Sequence, residues 1–319
     1  MKTIALLTSG GDAPGMNAAI RAVVRTALFH NAAVLGVSRG FAGLIEGDYV
    51  KMHLGSVADI IHRGGTILQT ARCEEFMTRE GRQKALEQMQ KNGIEGLIVI
   101  GGDGSFRGAV ELNKLGMPTI GIPGTIDNDI SCTDRTIGFD TVVNTVLDAI
   151  NKIRDTASSH GRIFVIEVMG RKSGFIALAA GLAGGAESIL IPEMPLDLQA
   201  VVQNIKRGNA RGKRHSIIIL AEGVAEGAEI TRKIQEMSGL ETRLSILGYI
   251  QRGGTPTAQD RILASRMGYE AVHLLLTGQQ NKMIAVQRDE VCAVELDVAL
   301  SHTNAINVEY YRLAGILSI

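Results

Sequence analysis

The sequence predicts an α/β fold with mainly parallel sheets, divided into two domains. Three observations carry this. Short apolar runs alternate with stretches of helical periodicity, as sheets covered on both faces require. The chain has 319 residues, and about 150 residues per domain gives two. Glycine is abundant, at 38 residues against 6 prolines, and it gathers where apolar runs end. That places it in tight strand-to-helix turns rather than in low-complexity linkers.

Taken in order, Ile4–Leu7 reads as a buried strand that ends at Ser9-Gly10-Gly11-Asp12. Pro14 is expected at the first position of the helix that follows, on which Ile20, Val23, Val24, Ala27 and Leu28 recur at helical spacing. Arg21 and Arg25, four apart, share a flank of that helix. Leu97–Ile100 is a second strand ending at Gly101-Gly102-Asp103-Gly104-Ser105, and helical periodicity resumes through Ala109 and Leu112. Thr119–Pro123 is a third, ending at Gly124-Thr125-Ile126-Asp127-Asn128-Asp129. A long helix from about Asp140 leads to the strand Ile163–Val168, and Ser216–Ala221 is another buried strand. After Gln251 the pattern turns helical again, with Thr255 expected as cap and Pro256 as first helical residue.

Composition excludes several classes. Lys plus Arg and Asp plus Glu are both 33, so binding to nucleic acid through bulk charge is not expected. No apolar run approaches the roughly 18 residues of a membrane span. Residues 1–7 are too short an apolar stretch for a secretory signal. Cys73, Cys132 and Cys292 have no metal-type spacing. These features imply a soluble, cytoplasmic protein without nucleic-acid or membrane partners.

In parallel α/β sheets, ligands sit beyond the carboxyl ends of the strands. Gly11, Asp103, Asp127, Arg171 and Glu222 all fall there. Gly-Gly-Asp-Gly-Ser offers backbone N–H groups at a helix start, which suits a phosphate, and Asp103 can hold Mg²⁺ against phosphate oxygens. A tight turn with an acidic cap would read the same way. Neither glycine loop is followed by Lys-Ser or Lys-Thr, so neither is a Walker A motif. Asp127 beside a phosphate site can take the proton of an attacking hydroxyl, although Asp-Asn-Asp also suits a plain turn. Arg72, Arg162, Arg171, Arg243 and Arg252 are either surface charges or clamps for phosphorylated ligands. The loose spacing Gly102-Gly104-Gly108 leaves a dinucleotide-dependent oxidoreductase as the alternative.

The motifs Thr8–Asn17, Ile100–Ser105, Pro123–Asp129, Val168–Arg171 and Gln251–Gly254 resemble those of the bacterial ATP-dependent 6-phosphofructokinases, in the same order and over essentially the whole chain. The resemblance implies two Rossmann-like domains with the active site in the cleft between them. Residues 1–138 with 252–302 would bind ATP, and 139–251 with 303–319 would bind fructose 6-phosphate. It implies an ATP site at Gly11, Arg72, Cys73, Gly102, Asp103, Gly104 and Ser105, with Mg²⁺ on Asp103. The sugar-phosphate site would comprise Thr125, Asp127, Arg162, Met169, Gly170, Arg171, Glu222, Arg243, Tyr249 and Arg252. Arg162 and Arg243 would come from a neighbouring subunit of a homotetramer. Asp127, Arg171 and Thr125 form the implied catalytic set, with Asp127 as base and Arg171 against the transferred charge.

An allosteric site for ADP, GDP or phosphoenolpyruvate is implied at Arg21, Arg25, Arg154, Gly185, Glu187, Arg211, Lys213 and His215. Two positions depart from the family: Tyr249 stands where His is usual, and Phe175 where an acid is common. Pyrophosphate-using relatives typically carry Asp at position 104 and Lys at 124, so Gly104 and Gly124 point to ATP.

Overall fold

The strands expected from continuous apolar runs lie inside the sheets. In the computed structural model, which describes residues 2–318, the first part of the chain forms β1 (Thr3–Thr8), α1 (Met16–Phe29), β2 (Ala33–Val37), α2 (Phe41–Glu46), β3 (Tyr49–Met52), α3 (Arg79–Lys91), β4 (Gly96–Gly101), α4 (Asp103–Lys114) and β5 (Thr119–Pro123). Then follow α5 (Phe139–His160), β6 (Ile163–Val168), α6 (Phe175–Ala183), β7 (Ser188–Leu190), α7 (Leu198–Ala210), β8 (Ser216–Ala221), α8 (Gly227–Ser238) and β9 (Thr242–Ile246). The last elements are α9 (Ala258–Leu276), β10 (Lys282–Gln287), β11 (Glu290–Glu295), α10 (Leu296–Ser301) and α11 (Val308–Leu317).

Two compact units result, Met1–Thr141 with Arg252–Asn304, and Val142–Gln251 with Ala305–Ile319. The first holds a seven-stranded sheet in the order β11-β10-β5-β4-β1-β2-β3, parallel except for its outermost strands β11 and β3. β1 and β4 are buried along nearly their whole length, as strands covered on both faces must be. One face packs on Leu7, Val37, Leu44, Met89, Phe106 and Leu112, among others; α1 and α9 lie against each other elsewhere in the unit. The second unit holds an all-parallel sheet in the order β7-β8-β6-β9, with a core that includes Val165, Leu220, Ile205 and Ile234.

Two helix starts differ from expectation. Pro14 is not helical: α1 begins at Met16, because Gly15 takes a left-handed φ of 105° that ends the preceding turn. Thr255 and Pro256 are not the cap and first residue of α9. That cap is Thr257, whose Oγ1 accepts the Asp260 N–H at 3.3 Å. Tertiary bonds fix this choice. The Thr257 N–H donates to Thr141 Oγ1 at 3.0 Å, and the Thr257 hydroxyl donates to Asp140 at 2.6 Å. Asp260 in turn is buried against the start of α5, accepting the N–H groups of Gly138 (2.9 Å) and Thr141 (2.8 Å) and the Thr141 hydroxyl (2.5 Å).

Candidate functional site

In the first unit, β5, β4 and β1 are adjacent and parallel, so the loops after them emerge side by side. The Ser9 N–H donates to the Ile100 carbonyl at 2.9 Å, and the Gly124 N–H donates to that of Gly101 at 3.0 Å. A side chain at Gly101 would press on Ser105 Oγ and the Ser9 carbonyl, both 2.5 Å from its Cβ. The loops can close this tightly only over glycine. Gly11 lies under the Arg252 guanidinium, which donates to the Asp12 carbonyl at 3.3 Å. The structure thus joins a residue expected at ATP to one expected at the sugar phosphate.

Asp103 is the first residue of α4, where exposed N–H groups and the helix dipole favour anions. Its carboxylate accepts the Gly104 N–H at 2.7 Å and lies 4.0 Å from Arg107. Nothing lies within 4 Å of a Cβ built at Gly104, so the space above the helix start is open. Ser105 is buried, Arg72 is exposed, and Cys73 packs against the hydrophobic core. Thr70, beside them, ties this segment to the Gly10 carbonyl at 2.9 Å.

Asp127 is only 3% exposed. Its N–H donates to Thr125 Oγ1 at 3.2 Å, and Thr125 Cβ is 3.9 Å from a Cβ built at Gly102. Asp127 and Asp103 therefore flank neighbouring loops. Asp103 and Asp129 also line one cavity of about 580 Å³ with Arg107, Ser131 and His302. No group of three or more His, Cys, Asp or Glu side chains able to hold a metal occurs among the described residues. One or two open carboxylates suit Mg²⁺, which draws its other oxygens from a phosphorylated substrate and water. The donor set fits that ion.

In the second unit, Met169, Gly170 and Arg171 follow β6, and Glu222 follows the adjacent β8. Glu222 gathers the turn through one oxygen, accepting the N–H groups of Gly170 at 3.2 Å and Arg171 at 2.7 Å. Arg171 takes a left-handed φ of 52° there, an uncommon conformation for a side-chain-bearing residue. Gln251, with no exposed surface, accepts the Met169 N–H at 3.1 Å and donates to the Gly248 carbonyl at 3.1 Å. That amide holds the turn carrying Tyr249, which is 84% exposed.

Arg162 and Arg243 lie elsewhere. Arg162 precedes β6 and Arg243 is near the start of β9, and both pair with Glu241, Arg162 at 2.9 Å. A six-residue strand separates them from Arg171, roughly 20 Å at 3.3 Å per residue.

Glu187, Lys213, His215, Arg154 and Gly185 cluster in the second unit. Lys213 pairs with Glu187, and Arg154 donates to the Gly185 carbonyl at 3.2 Å. Burial and the charges of Lys213 and Arg154 hold His215 below its ordinary pKa. Arg211 lines a separate small cavity with Asn204, Arg207 and Ser318. Arg21 and Arg25 lie on α1 in the first unit. Partial burial, together with the charge of Arg25, lowers the Arg21 pKa.

Sequence reasoning assigned no role to Gln251 or Asn17. Buried Asn17 accepts the Ile67 N–H at 2.8 Å and donates to the carbonyls of Arg63 and Gly64 at 3.1 Å. Its one signal was a polar residue on the apolar face of α1. The loose spacing Gly102-Gly104-Gly108 has a packing cause: Gly108 is inside α4, where a Cβ would meet Phe41 Cζ at 2.7 Å.

A family model described as phosphofructokinase matches residues 3–275. The chain is 61% identical to the ATP-dependent 6-phosphofructokinase of Halothermothrix orenii, with both chains covered in full. It is 58% identical to that of Bacillus subtilis, again over 100% of each. Among solved structures it resembles a phosphofructokinase from Saccharomyces cerevisiae (TM-score 0.89, 36% identity), covering 94% of this chain and 45% of that one. It therefore spans less than half the length of the yeast chain. A pyrophosphate-dependent phosphofructokinase from Marinobacter aquaeolei shares the fold (TM-score 0.87, 23% identity, 99% and 88% covered).

Proposed function

The chain belongs to the phosphofructokinase family, and from that premise we propose that it transfers the γ-phosphoryl group of ATP to the 1-hydroxyl of fructose 6-phosphate. The products are ADP and fructose 1,6-bisphosphate, which makes this the committed step of glycolysis, carried out in the cytoplasm. The observation that carries the reading is the buried Asp127 carboxylate on the loop beside Gly102 and Asp103.

Asp127 takes the proton of the attacking hydroxyl as the O–P bond forms. The N–H groups around Gly11 and Gly102–Ser105 cradle the nucleotide phosphates, and Arg72 and Cys73 complete the ATP site. Asp103 would hold Mg²⁺ together with phosphate oxygens, and the ion supplies positive charge against the transferred group. Arg171 stabilises charge on that group, while Thr125, Met169, Gly170 and Glu222 shape the sugar site. Arg252 and Tyr249 meet the 6-phosphate.

Arg162 and Arg243 serve the sugar phosphate of a neighbouring copy in a homotetramer. Their place at the opposite end of β6 from Arg171 supports this assignment. ADP, GDP or phosphoenolpyruvate acts at a site between subunits, to which the cluster around Glu187 and, on α1, Arg21 and Arg25 contribute. The test is a coupled assay of ADP formation from ATP and fructose 6-phosphate. Absence of ADP release, or reduction of a nicotinamide cofactor instead, overturns the reading.

A further inference from the structure

The loop that carries Asp127 is held by a segment from the far end of the first unit. Four consecutive loop residues are tied to residues 299–304. The Asn128 carbonyl accepts from Asn304 Nδ2 at 3.2 Å, and the Asp129 carbonyl accepts the Asn304 N–H at 3.3 Å. Ile130 forms an antiparallel bridge with Thr303, and Ser131 Oγ donates to the Ala299 carbonyl at 2.8 Å. Asn304 alone supplies two of these ties. It is also the last residue of its unit.

The loop needs such a hold. Asn128 and Cys132 have left-handed φ values of 52° and 64°, and non-glycine residues persist there only when their surroundings fix them. From within, Asn128 Oδ1 accepts the Thr136 N–H at 2.8 Å, and its Nδ2 donates to the Asp134 carbonyl at 3.3 Å. Those bonds close the loop on itself. They do not fix it to the rest of the unit; Asn304 does so at residues 128 and 129, next to Asp127, whereas Val286 and Arg288 hold the far end of the loop at Thr133 and Asp134.

We propose that Asn304 is a positioning residue for phosphoryl transfer: its backbone N–H and side-chain amide fix the Asn128–Asp129 backbone and so aim the preceding Asp127 carboxylate. The inference rests on the reading of Asp127 as base. In this role Asn304 acts through the loop and not on the substrate.

Two variants test it. Asn304→Ala removes the side-chain tie; Asn304→Asp keeps the shape but turns a carboxylate toward the Asn128 carbonyl. Both should lower kcat by about 10- to 100-fold, the cost of a small misplacement of a reacting group. KM for ATP and for fructose 6-phosphate should stay within about threefold, the pattern of an interaction made for the transition state. Amide hydrogen exchange across residues 125–136 should speed up with an unchanged thermal midpoint. A merely structural residue would instead lower the midpoint and leave the kcat of folded enzyme alone. Exchange at 125–136 equal to wild type, or kcat within about twofold of wild type in both variants, overturns the proposal. If the wild-type chain releases no ADP at all, the kinase reading fails on its own, and the exchange rates still decide whether Asn304 holds the loop.

Discussion

Glu187 and Lys213 form an ion pair in the second unit, and the other Glu187 oxygen accepts the Ile217 N–H at 2.6 Å. The lysine is thereby already engaged, and a phosphorylated effector would have to draw it away from a buried carboxylate. An effector changes activity only through its difference in affinity between two states, typically about 1–3 kcal/mol. Arg25→Ala and Arg211→Ala should blunt the response to ADP or phosphoenolpyruvate while leaving turnover at saturating substrate nearly intact. Fructose 6-phosphate saturation curves with and without each effector check this. Curves that neither effector moves in the wild type would remove support for the site.

At the reacting centre, Asp127→Asn should lower kcat by about 10²–10⁴-fold with little change in substrate binding. Asp103→Asn should instead shift the Mg²⁺ concentration needed for half-maximal rate. Steady-state kinetics across a magnesium titration separates the two, and an Asp127 variant with most of its turnover would rule out the base.

Donor choice follows from two glycines. The space around Gly104 is open, and on the proposed placement of the nucleotide a carboxylate there would crowd and repel its α-phosphate. At Gly124 a Cβ would lie 3.0 Å from Ile100 Cγ2 and 3.2 Å from Met16 Cε, so a lysine would also strain the core. Turnover with ATP should far exceed that with pyrophosphate. Comparable rates with the two donors would contradict the assignment.

Tyr49, in the edge strand β3, buries a hydroxyl that has no hydrogen-bond partner among the described residues. Burial pushes its phenol up to about 12 from an ordinary 10.0. Between those values the unfolded chain loses the proton first, so this group's contribution to stability falls as pH rises through that window. Tyr49→Phe should remove that slope and, with no polar atom left stranded, match or exceed wild-type stability by up to about 1 kcal/mol at neutral pH. Urea unfolding at neutral and alkaline pH decides it; a clear loss at neutral pH would point to a missed partner.

The inner strands and the polar residues at their ends were legible because burial on both faces writes a continuous apolar run into the sequence. β11 (Glu290–Glu295), at a sheet edge, has only the four apolar residues Val291–Val294 between two glutamates, and β7 has three residues, too few for a pattern. The helix starts differ from the expectation at Pro14 and Pro256 because Gly15 takes a left-handed φ and because Thr257 is fixed by Thr141 and Asp140, far away in the sequence. Asp103 and Asp127 announced themselves through charge beside glycine. Gln251, Asn17 and Asn304 did not, since a neutral amide shows its purpose only through partners such as Met169, distant along the chain.

The separation of Arg162 and Arg243 from Arg171 along β6 has a bearing on genetics as well as on chemistry. If each copy lends its arginines to a neighbour, an inactivating change need not stay with the chain that carries it. In that case Arg243→Ala would spoil the adjoining copy's sugar site, whereas Asp127→Asn would spoil its own. Chains bearing one lesion each, dissociated and reassembled together, should form some sites with an intact base from one parent and intact arginines from the other. Two inactive preparations would then yield an active mixture. In a cell carrying both alleles, neither defect would be fully recessive or fully dominant, because activity would belong to the assembly rather than to any one polypeptide.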